Sequence, residues 1–279
     1  MVIRWASLFY FWPEFAISGK ENFVKRTYLL AIALFVVAGT AIGQEVNVGV
    51  KGGVSIPNLS GSDNNPVTKN YKSRTAVTFG GFVELGITDK FSVQPELNYS
   101  QQGGVRKGVQ PITQPMPGLP PLPPGQYFYG DFKNTAKLNY LEVPVLLKYK
   151  FGSNSKTRFF LNGGVYYGYL LNATTVTKGT STIYIDENKT PLLLPPLGTP
   201  VPPVSFDAKT NIINDVNRNN FGLTGGGGLL LPSGKNNNFI IDVRVSRGLT
   251  HIQKNTALNG SSRTGNFVVS FGYVFGVKK

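Results

Sequence analysis

Cysteine is absent from the 279-residue chain, and histidine occurs once, at His251. The missing cysteines exclude a disulfide framework, a thiolate metal site and a cysteine nucleophile together. One histidine argues against a His-based metal site, and any Ser-His-Asp triad would have to rest on His251 alone. Charge is scarce too: 15% of the residues are Asp, Glu, Lys or Arg, against about 25% in an average soluble domain. The charge that exists is lopsided, with 28 basic and 14 acidic residues and a net +14. Such an excess raises nucleic acid as a partner. Here the bases are scattered, in nothing longer than the pairs Lys25-Arg26, Arg106-Lys107 and Lys278-Lys279. No nucleic-acid partner is expected. What the chain has in plenty is Gly (33), Phe (19) and Tyr (13), the composition of strands and turns.

The N-terminal region reads as an export signal. Lys25-Arg26 precedes an apolar run from Thr27 to Ile42 that ends in Ala41-Ile42-Gly43. A basic start, a short apolar stretch and small residues before the scissile bond make a secretory signal peptide over residues 24–43. Cleavage is expected between Gly43 and Gln44. A membrane anchor needs about 20 apolar residues, and this run is shorter. Residues 1–23, with Trp5, Phe9, Phe11, Trp12 and Pro13, fit no basic n-region. Translation is therefore expected to begin at Val24, with residues 1–23 an extension upstream of the true start.

From Glu45 onward the hydrophobic period is two, not 3.6, and it returns eight times. The segments are 45–56, 75–87, 91–102, 138–150, 158–171, 219–231, 239–249 and 265–276. In the third, Phe91, Val93, Leu97 and Tyr99 alternate with Ser92, Gln94, Glu96, Asn98 and Ser100. In the seventh, Phe239, Ile241, Val243 and Val245 alternate with Asp242, Arg244 and Ser246. No segment after residue 44 reads as a helix. The connections also alternate: 88–90, 151–157 and 232–238 are short, while 57–74, 103–137, 172–218 and 250–264 are long.

Short turns at one end and long loops at the other describe an outer-membrane barrel. The expected fold is all-β: an eight-stranded antiparallel transmembrane β-barrel over residues 44–279, an up-and-down meander with periplasmic turns and extracellular loops. In such a barrel the apolar parity faces lipid and the polar parity the lumen. The polar parity carries Glu84, Glu96, Glu142 and Asp242 with Lys51, Lys148, Arg158 and Arg244. Buried charges must be paired, and an eight-stranded bore holds side chains and little else. These eight residues are expected to form a lumenal ion-pair network that plugs the barrel. A soluble sandwich or lipocalin-like barrel would reverse the faces, and parity alone does not separate the two.

Three stretches add a resemblance. Gln94-Pro95-Glu96-Leu97-Asn98-Tyr99-Ser100-Gln101-Gln102-Gly103 and Leu138-Asn139-Tyr140-Leu141-Glu142-Val143-Pro144-Val145-Leu146-Leu147-Lys148-Tyr149 form two of them. Val50-Lys51-Gly52-Gly53-Val54 with Asn58-Leu59-Ser60-Gly61 is the third. Together they resemble the PorT-like outer-membrane β-barrel family of Bacteroidetes-type bacteria. The resemblance implies an exported outer-membrane barrel. Some members of that family serve protein secretion across the outer membrane, so an accessory role in such a machinery is the second reading.

Proline takes a donor out of a ladder, so bulges are expected at Pro95 and Pro144. Residues 111–124 and 191–203 hold 13 of the 19 prolines. They are expected to run as extended polyproline arms that do not pair as sheet, offering surface for a protein partner. Loop bases (Lys69, Lys72, Arg74, Arg106, Lys107, Lys254, Arg263) are candidates for lipopolysaccharide phosphates, beside the plain reading as solvated charges. Gly225–Gly228 precedes no helix and no Lys-Ser/Thr, so it is not a phosphate loop; close packing or room for bulky neighbours accounts for it. No catalytic residue, cofactor or metal is expected, and His251 reads as a solvated loop side chain.

Overall fold

The computed structural model describes residues 45–277 except 62–64, 117, 153–156, 195, 197 and 235. The expectations for residues 1–23, for the signal peptide and for the Gly43–Gln44 cleavage lie outside the described residues. Eight long strands follow one another: β1 (Val46–Gly61), β2 (Ala76–Gly86), β3 (Phe91–Pro111), β4 (Tyr129–Phe151) and β5 (Arg158–Lys178) come first. Five short pieces lie in the next connection: β6 (Thr180–Ser181), β7 (Leu193–Leu194), β8 (Thr199–Pro200), β9 (Val204–Ser205) and β10 (Ala208–Asn211). Then come β11 (Asn219–Pro232), β12 (Asn238–Gly248), a single helical turn α1 (Thr256–Asn259) and β13 (Ser262–Val277). Each long strand pairs antiparallel with its sequence neighbours, and β13 returns to β1 from Val46↔Val277 to Gly61↔Ser262. The ring is closed, so the eight long strands have no free edge along the shared ladder.

Closure decides which parity points where. Val48, Val50, Val54, Phe79, Leu97, Val165, Phe221, Val245 and Phe271 are exposed on the outside. Ser92, Gln94, Glu96, Asn98, Lys148 and Asp242 are buried on the inside. This inverts a soluble protein. An apolar side chain moved from water to an apolar phase contributes about 1.5–3 kcal/mol, so the outer face gains only where lipid covers it. Aromatic residues mark both rims of that band. Phe91–Tyr149, Tyr149–Phe151, Phe239–Tyr273 and Tyr273–Phe275 pack in pairs at the short-turn end. Phe79–Tyr99 and Tyr167–Phe221 do so nearer the loops. Eight residues separate Phe91 from Tyr99, and Phe159 from Tyr167. That is about 27 Å along a strand, or about 20 Å along the axis at the usual tilt.

Glycine makes the narrow bore passable for rings. Phe82 lies opposite Gly49, Tyr166 opposite Gly222 and Phe160 opposite Gly228. A Cβ on Gly49 would sit 2.3 Å from the Phe82 ring, and one on Gly222 would sit 2.3 Å from Tyr166. Each of these three inward aromatics thus lies over a directly opposed glycine. In β11, Gly226 and Gly228 face inward, where added Cβ atoms would meet Arg244 Cγ at 2.9 Å and Phe160 Cζ at 2.7 Å.

The structure departs from the sequence reading in four places. First, strands run on into the expected connections: β1 continues to Gly61 against β13 from Ser262, β5 continues to Lys178 beside β10, and β3 and β4 run past residues 102 and 138, with 103–111 paired to 129–137. Alternation persists there, but with Gln102, Gly104, Arg106 and Gln110 as the inward residues. The inward set mixes Arg106, Gln110 and Asn134 with Phe132 and Ala136, and the outward set mixes Val105 and Val109 with Lys107 and Lys133, so no hydrophobic period is left to read. Second, the prolines produce no bulge. Pairing lapses between Phe82↔Glu96 and Leu85↔Val93, and between Pro95↔Val145 and Asn98↔Glu142, with register kept across both gaps. Pro144 sits in continuous register opposite Tyr166. The register shift of β4 against β5 falls at Asn139/Tyr140, where Leu171 is the extra residue. Third, the second proline-rich stretch does pair, Leu193↔Pro200 and Leu194↔Thr199, as a minimal hairpin. Proline is tolerated there because a two-stranded piece is all edge. Fourth, one helical turn occurs, at Thr256–Asn259.

Candidate functional site

The interior is layered. At the short-turn end Phe82, Phe160, Leu230, Ile240 and Val274 form a buried apolar cluster. Beside it, Glu84 takes Lys148 Nζ on Oε2 and Lys150 Nζ on Oε1, each at 2.7 Å. Lys148 Nζ also stands 4.4 Å from the centre of the Phe160 ring, a cation–π contact, and donates to Gln94 Oε1 at 3.1 Å. The ion pairs join β2 to β4 across β3, and the apolar cluster adds residues of β5, β11, β12 and β13 from around the ring.

At mid-height a four-membered cluster occupies the bore. Arg244 grips Glu96 with both terminal nitrogens, Nη1–Oε2 and Nη2–Oε1 at 2.8 Å each. Its Nη2 also lies 2.6 Å from Asp242 Oδ2. Lys51 Nζ bridges the same two carboxylates, 2.9 Å from Glu96 Oε2 and 3.1 Å from Asp242 Oδ2. Two cations face two anions, and the bidentate fork is the strongest geometry such a pair adopts. Remaining lone pairs are filled by amides: Gln94 Nε2 on Glu96 Oε1 at 2.6 Å, Asn98 Nδ2 on Glu96 Oε2 at 2.8 Å, and Asn162 Nδ2 on Asp242 Oδ1 at 3.3 Å.

Six of the eight charges singled out in the sequence therefore meet: Lys51, Glu84, Glu96, Lys148, Asp242 and Arg244. Two do not enter these pairs. Glu142 accepts a hydrogen bond from Gln102 Nε2. It lines a cavity of about 40 Å³ with Lys51 and Arg244, with no base within ion-pair distance among the described residues. Arg158 is the first residue of β5, opposite Leu230 at the short-turn rim. Glu84 is instead matched by Lys150, which the sequence reading omitted. Parity held the signal, since 148 and 150 lie on the same face.

Above the ions, Leu59, Ala136, Leu138, Tyr140, Leu170, Ala173, Val216 and Ile252 form a second buried apolar cluster. It is the floor of a vestibule of about 690 Å³ that opens among the loops. Its wall carries Tyr71, Arg106, Gln110, Asn134, Thr175 and Thr177. Arg106, expected as a solvated loop charge, is 3% exposed. Its Nη1 donates to the carbonyls of Pro66 at 2.6 Å and Val67 at 3.5 Å. Nearby, Asn134 Nδ2 donates to the Tyr71 hydroxyl at 3.3 Å. Burial pushes the Tyr71 hydroxyl above its ordinary pKa, against the pull of Arg106. Of the other loop bases, Lys69 pairs with Glu187 at 2.7 Å and Arg74 donates to the Gln102 carbonyl at 2.8 Å. His251 stands 3.3 Å from Arg263 Nη2.

The outer face of the projecting sheet carries its own pattern. Lys107 lies opposite Lys133, and Lys133 opposite Lys178, across β3, β4 and β5. All three are exposed. No carboxylate reaches them within ion-pair distance among the described residues. Lys137 and Lys209 are exposed on the same sheet, opposite Gly103 and Val176.

A family model described as outer membrane protein beta-barrel domain matches residues 40–254. No curated protein matches the chain. Solved structures similar to it include the attachment invasion locus protein Ail of Yersinia pestis, 12% identical over 83% of this chain and 99% of that one, TM-score 0.37. The outer membrane protein OprG of Pseudomonas aeruginosa is 14% identical over 84% and 98%, TM-score 0.36. The outer membrane protease OmpT of Escherichia coli is 9% identical over 84% and 97%, TM-score 0.32.

Proposed function

The chain belongs to the outer membrane protein beta-barrel domain family, and from that premise we propose that it is a plugged barrel with a structural and interaction role, displayed through its long loops. The observation that carries this reading is the content of the bore. Two apolar clusters enclose an ionic layer in which Glu96 is fully desolvated between Lys51 and Arg244. An eight-stranded ring filled in this way leaves no aqueous path. The reading is non-enzymatic, and the ring contact of His251 with the Arg263 guanidinium, at 3.3 Å, supports it.

The long-loop end is read as the extracellular one and the short turns as periplasmic. On that side the Lys107–Lys133–Lys178 row lies eight residues past Tyr99 on β3, about 20 Å beyond the aromatic rim along the axis. Like charges directly opposite each other destabilise a sheet, so this row gains from an anionic covering. Lipopolysaccharide phosphates are the proposed partner. The two proline-bearing loops stand beside it as protein-contact surface, with Leu193 and Leu194 exposed on the small hairpin.

An accessory subunit of a PorT-like secretion machinery is the second reading, and the β3 and β4 motifs favour it. Their distinctive residues (Gln94, Glu96, Asn98, Glu142, Lys148) all lie in the bore, so they speak for architecture more than for a secretion partner. Planar-bilayer recording tests the main proposal. Purified, heat-modifiable protein is expected to give no steady conductance, and a stable ohmic channel would overturn the plugged lumen.

A further inference from the structure

The vestibule is built differently from the bore beneath it. Its floor is apolar, from Leu59, Ala136, Leu138, Val216 and Ile252. One rung above Ala136, on the paired residues 106 and 134, the wall carries a buried guanidinium and a half-buried amide whose oxygen is buried. The guanidinium of Arg106 has five N–H donors. Nη1 is engaged by the two loop carbonyls, which hold the group in place without neutralising it. Two carboxylates line the chamber, Asp207 and Asp215. Asp207 accepts from the Gly179 N–H at 2.8 Å, and neither lies within ion-pair distance of Arg106 among the described residues; Glu187, whose charge reaches Arg106 from farther off, is tied to Lys69 Nζ at 2.7 Å. Beside Arg106, Asn134 Oδ1 is buried without a hydrogen-bond partner among the described residues.

A buried cation with no carboxylate at ion-pair distance is costly. Here it borders a chamber of about 690 Å³, inside the usual range for small-molecule sites. We propose that the vestibule binds an amphipathic anion: a small molecule with one anionic oxygen head seated against Arg106 and an apolar body resting on the Leu59–Leu138–Ile252 floor. The head supplies the acceptors that the guanidinium lacks. The body replaces water over the apolar cluster, and Asn134 and the Tyr71 hydroxyl border the head group. The site does not depend on whether the bore conducts or which partner the outer face takes.

The test uses the full barrel in nanodiscs, titrated calorimetrically with octanoate, octyl phosphate and octanol, with empty discs as the blank. Saturable binding of at least one anion, above the blank and roughly ten- to hundred-fold tighter than octanol, is the expected result, since hydrogen bonds to a charged group contribute this much. Octanoate against octyl phosphate tells a carboxylate head from a phosphate head. Arg106→Gln is expected to bring both anions down to the octanol level, while Lys90→Gln, exposed in the short turn between β2 and β3 at the other end of the barrel, changes nothing. If Arg106→Gln loses heat-modifiable migration, Thr175→Trp fills the same chamber from β5 and is expected to abolish binding of all three. Equal binding of octanol and both anions refutes the assignment. So does unchanged anion binding in folded Arg106→Gln, or binding that survives Thr175→Trp.

Discussion

Glu96 is the residue on which the ionic layer turns, and Glu96→Gln is the sharpest perturbation of it. The carboxylate is shared by Arg244, at 2.8 Å to each oxygen, and by Lys51, at 2.9 and 3.0 Å. Glutamine keeps the shape but removes one negative charge. It also turns one acceptor into an amide N–H that faces the Arg244 donors. Asp242 is then the one carboxylate left for both cations, at 3.1 Å from Lys51 and 2.6 Å from Arg244. A buried positive charge is left uncompensated. Breaking a buried pair in this way costs about 3–5 kcal/mol, roughly two to nearly four orders of magnitude in the folding equilibrium. Urea unfolding of the vesicle-embedded barrel, followed by tyrosine fluorescence and gel migration, measures it. Removing the arginine as well, in Glu96→Gln/Arg244→Met, leaves Lys51 facing Asp242 as a neutral pair. The double variant is expected to recover part of the loss. A Glu96→Gln cost below about 1 kcal/mol, with no recovery in the double variant, would show that the layer is hydrated and weakly coupled.

Gly228→Ala places a Cβ 1.9 Å from the Ile241 carbonyl oxygen and 2.7 Å from Phe160 Cζ. It is expected to cost about 1–3 kcal/mol or more in the same unfolding assay, whereas Gly225→Ala, whose nearest atom is 3.6 Å away, stays close to wild type. Replacing Lys107, Lys133 and Lys178 together by Gln is expected to weaken retention on lipopolysaccharide-bearing vesicles and to flatten its salt dependence, with the barrel still heat-modifiable; unchanged retention would refute the outer-face assignment. Thr190 Oγ1 at 2.7 Å, the Thr190 N–H at 3.0 Å and the Asn188 N–H at 2.9 Å hold the Asp186 carboxyl below its usual pKa. A depressed carboxylate stabilises above its unfolded pKa and loses that contribution as pH falls through its folded one. Proteolytic nicking of the 186–190 turn is therefore expected to rise below about pH 4, and Asp186→Asn should show that raised level already at neutral pH.

The long strands were legible because alternation is a local property: Phe91, Val93, Leu97 and Tyr99 against Gln94, Glu96 and Asn98 announce a two-faced strand without its neighbours. The charges of the bore were legible by the same rule. Their partners were not. Glu96 and Arg244 are 148 residues apart, and Lys51 and Asp242 191, so only ring closure and stagger decide who meets whom. This is why Lys150 joins Lys148 on Glu84, and why Glu142 ends on an amide.

The projecting halves of β3 and β4 were illegible for a different reason. A sheet that mixes polar and apolar residues on both faces has no hydrophobic period, and the ladder of 103–111 with 129–137 exists because the pairing below it continues upward. Arg106 looked like a loop charge on that account. By itself the sequence determined an eight-fold alternation, a set of polar-face charges and the alternation of short and long connections, since each depends on neighbouring residues. The tertiary structure alone decided that the apolar face points outward, which ions pair, and that Arg106 borders a chamber, because each of these depends on where the ring closes.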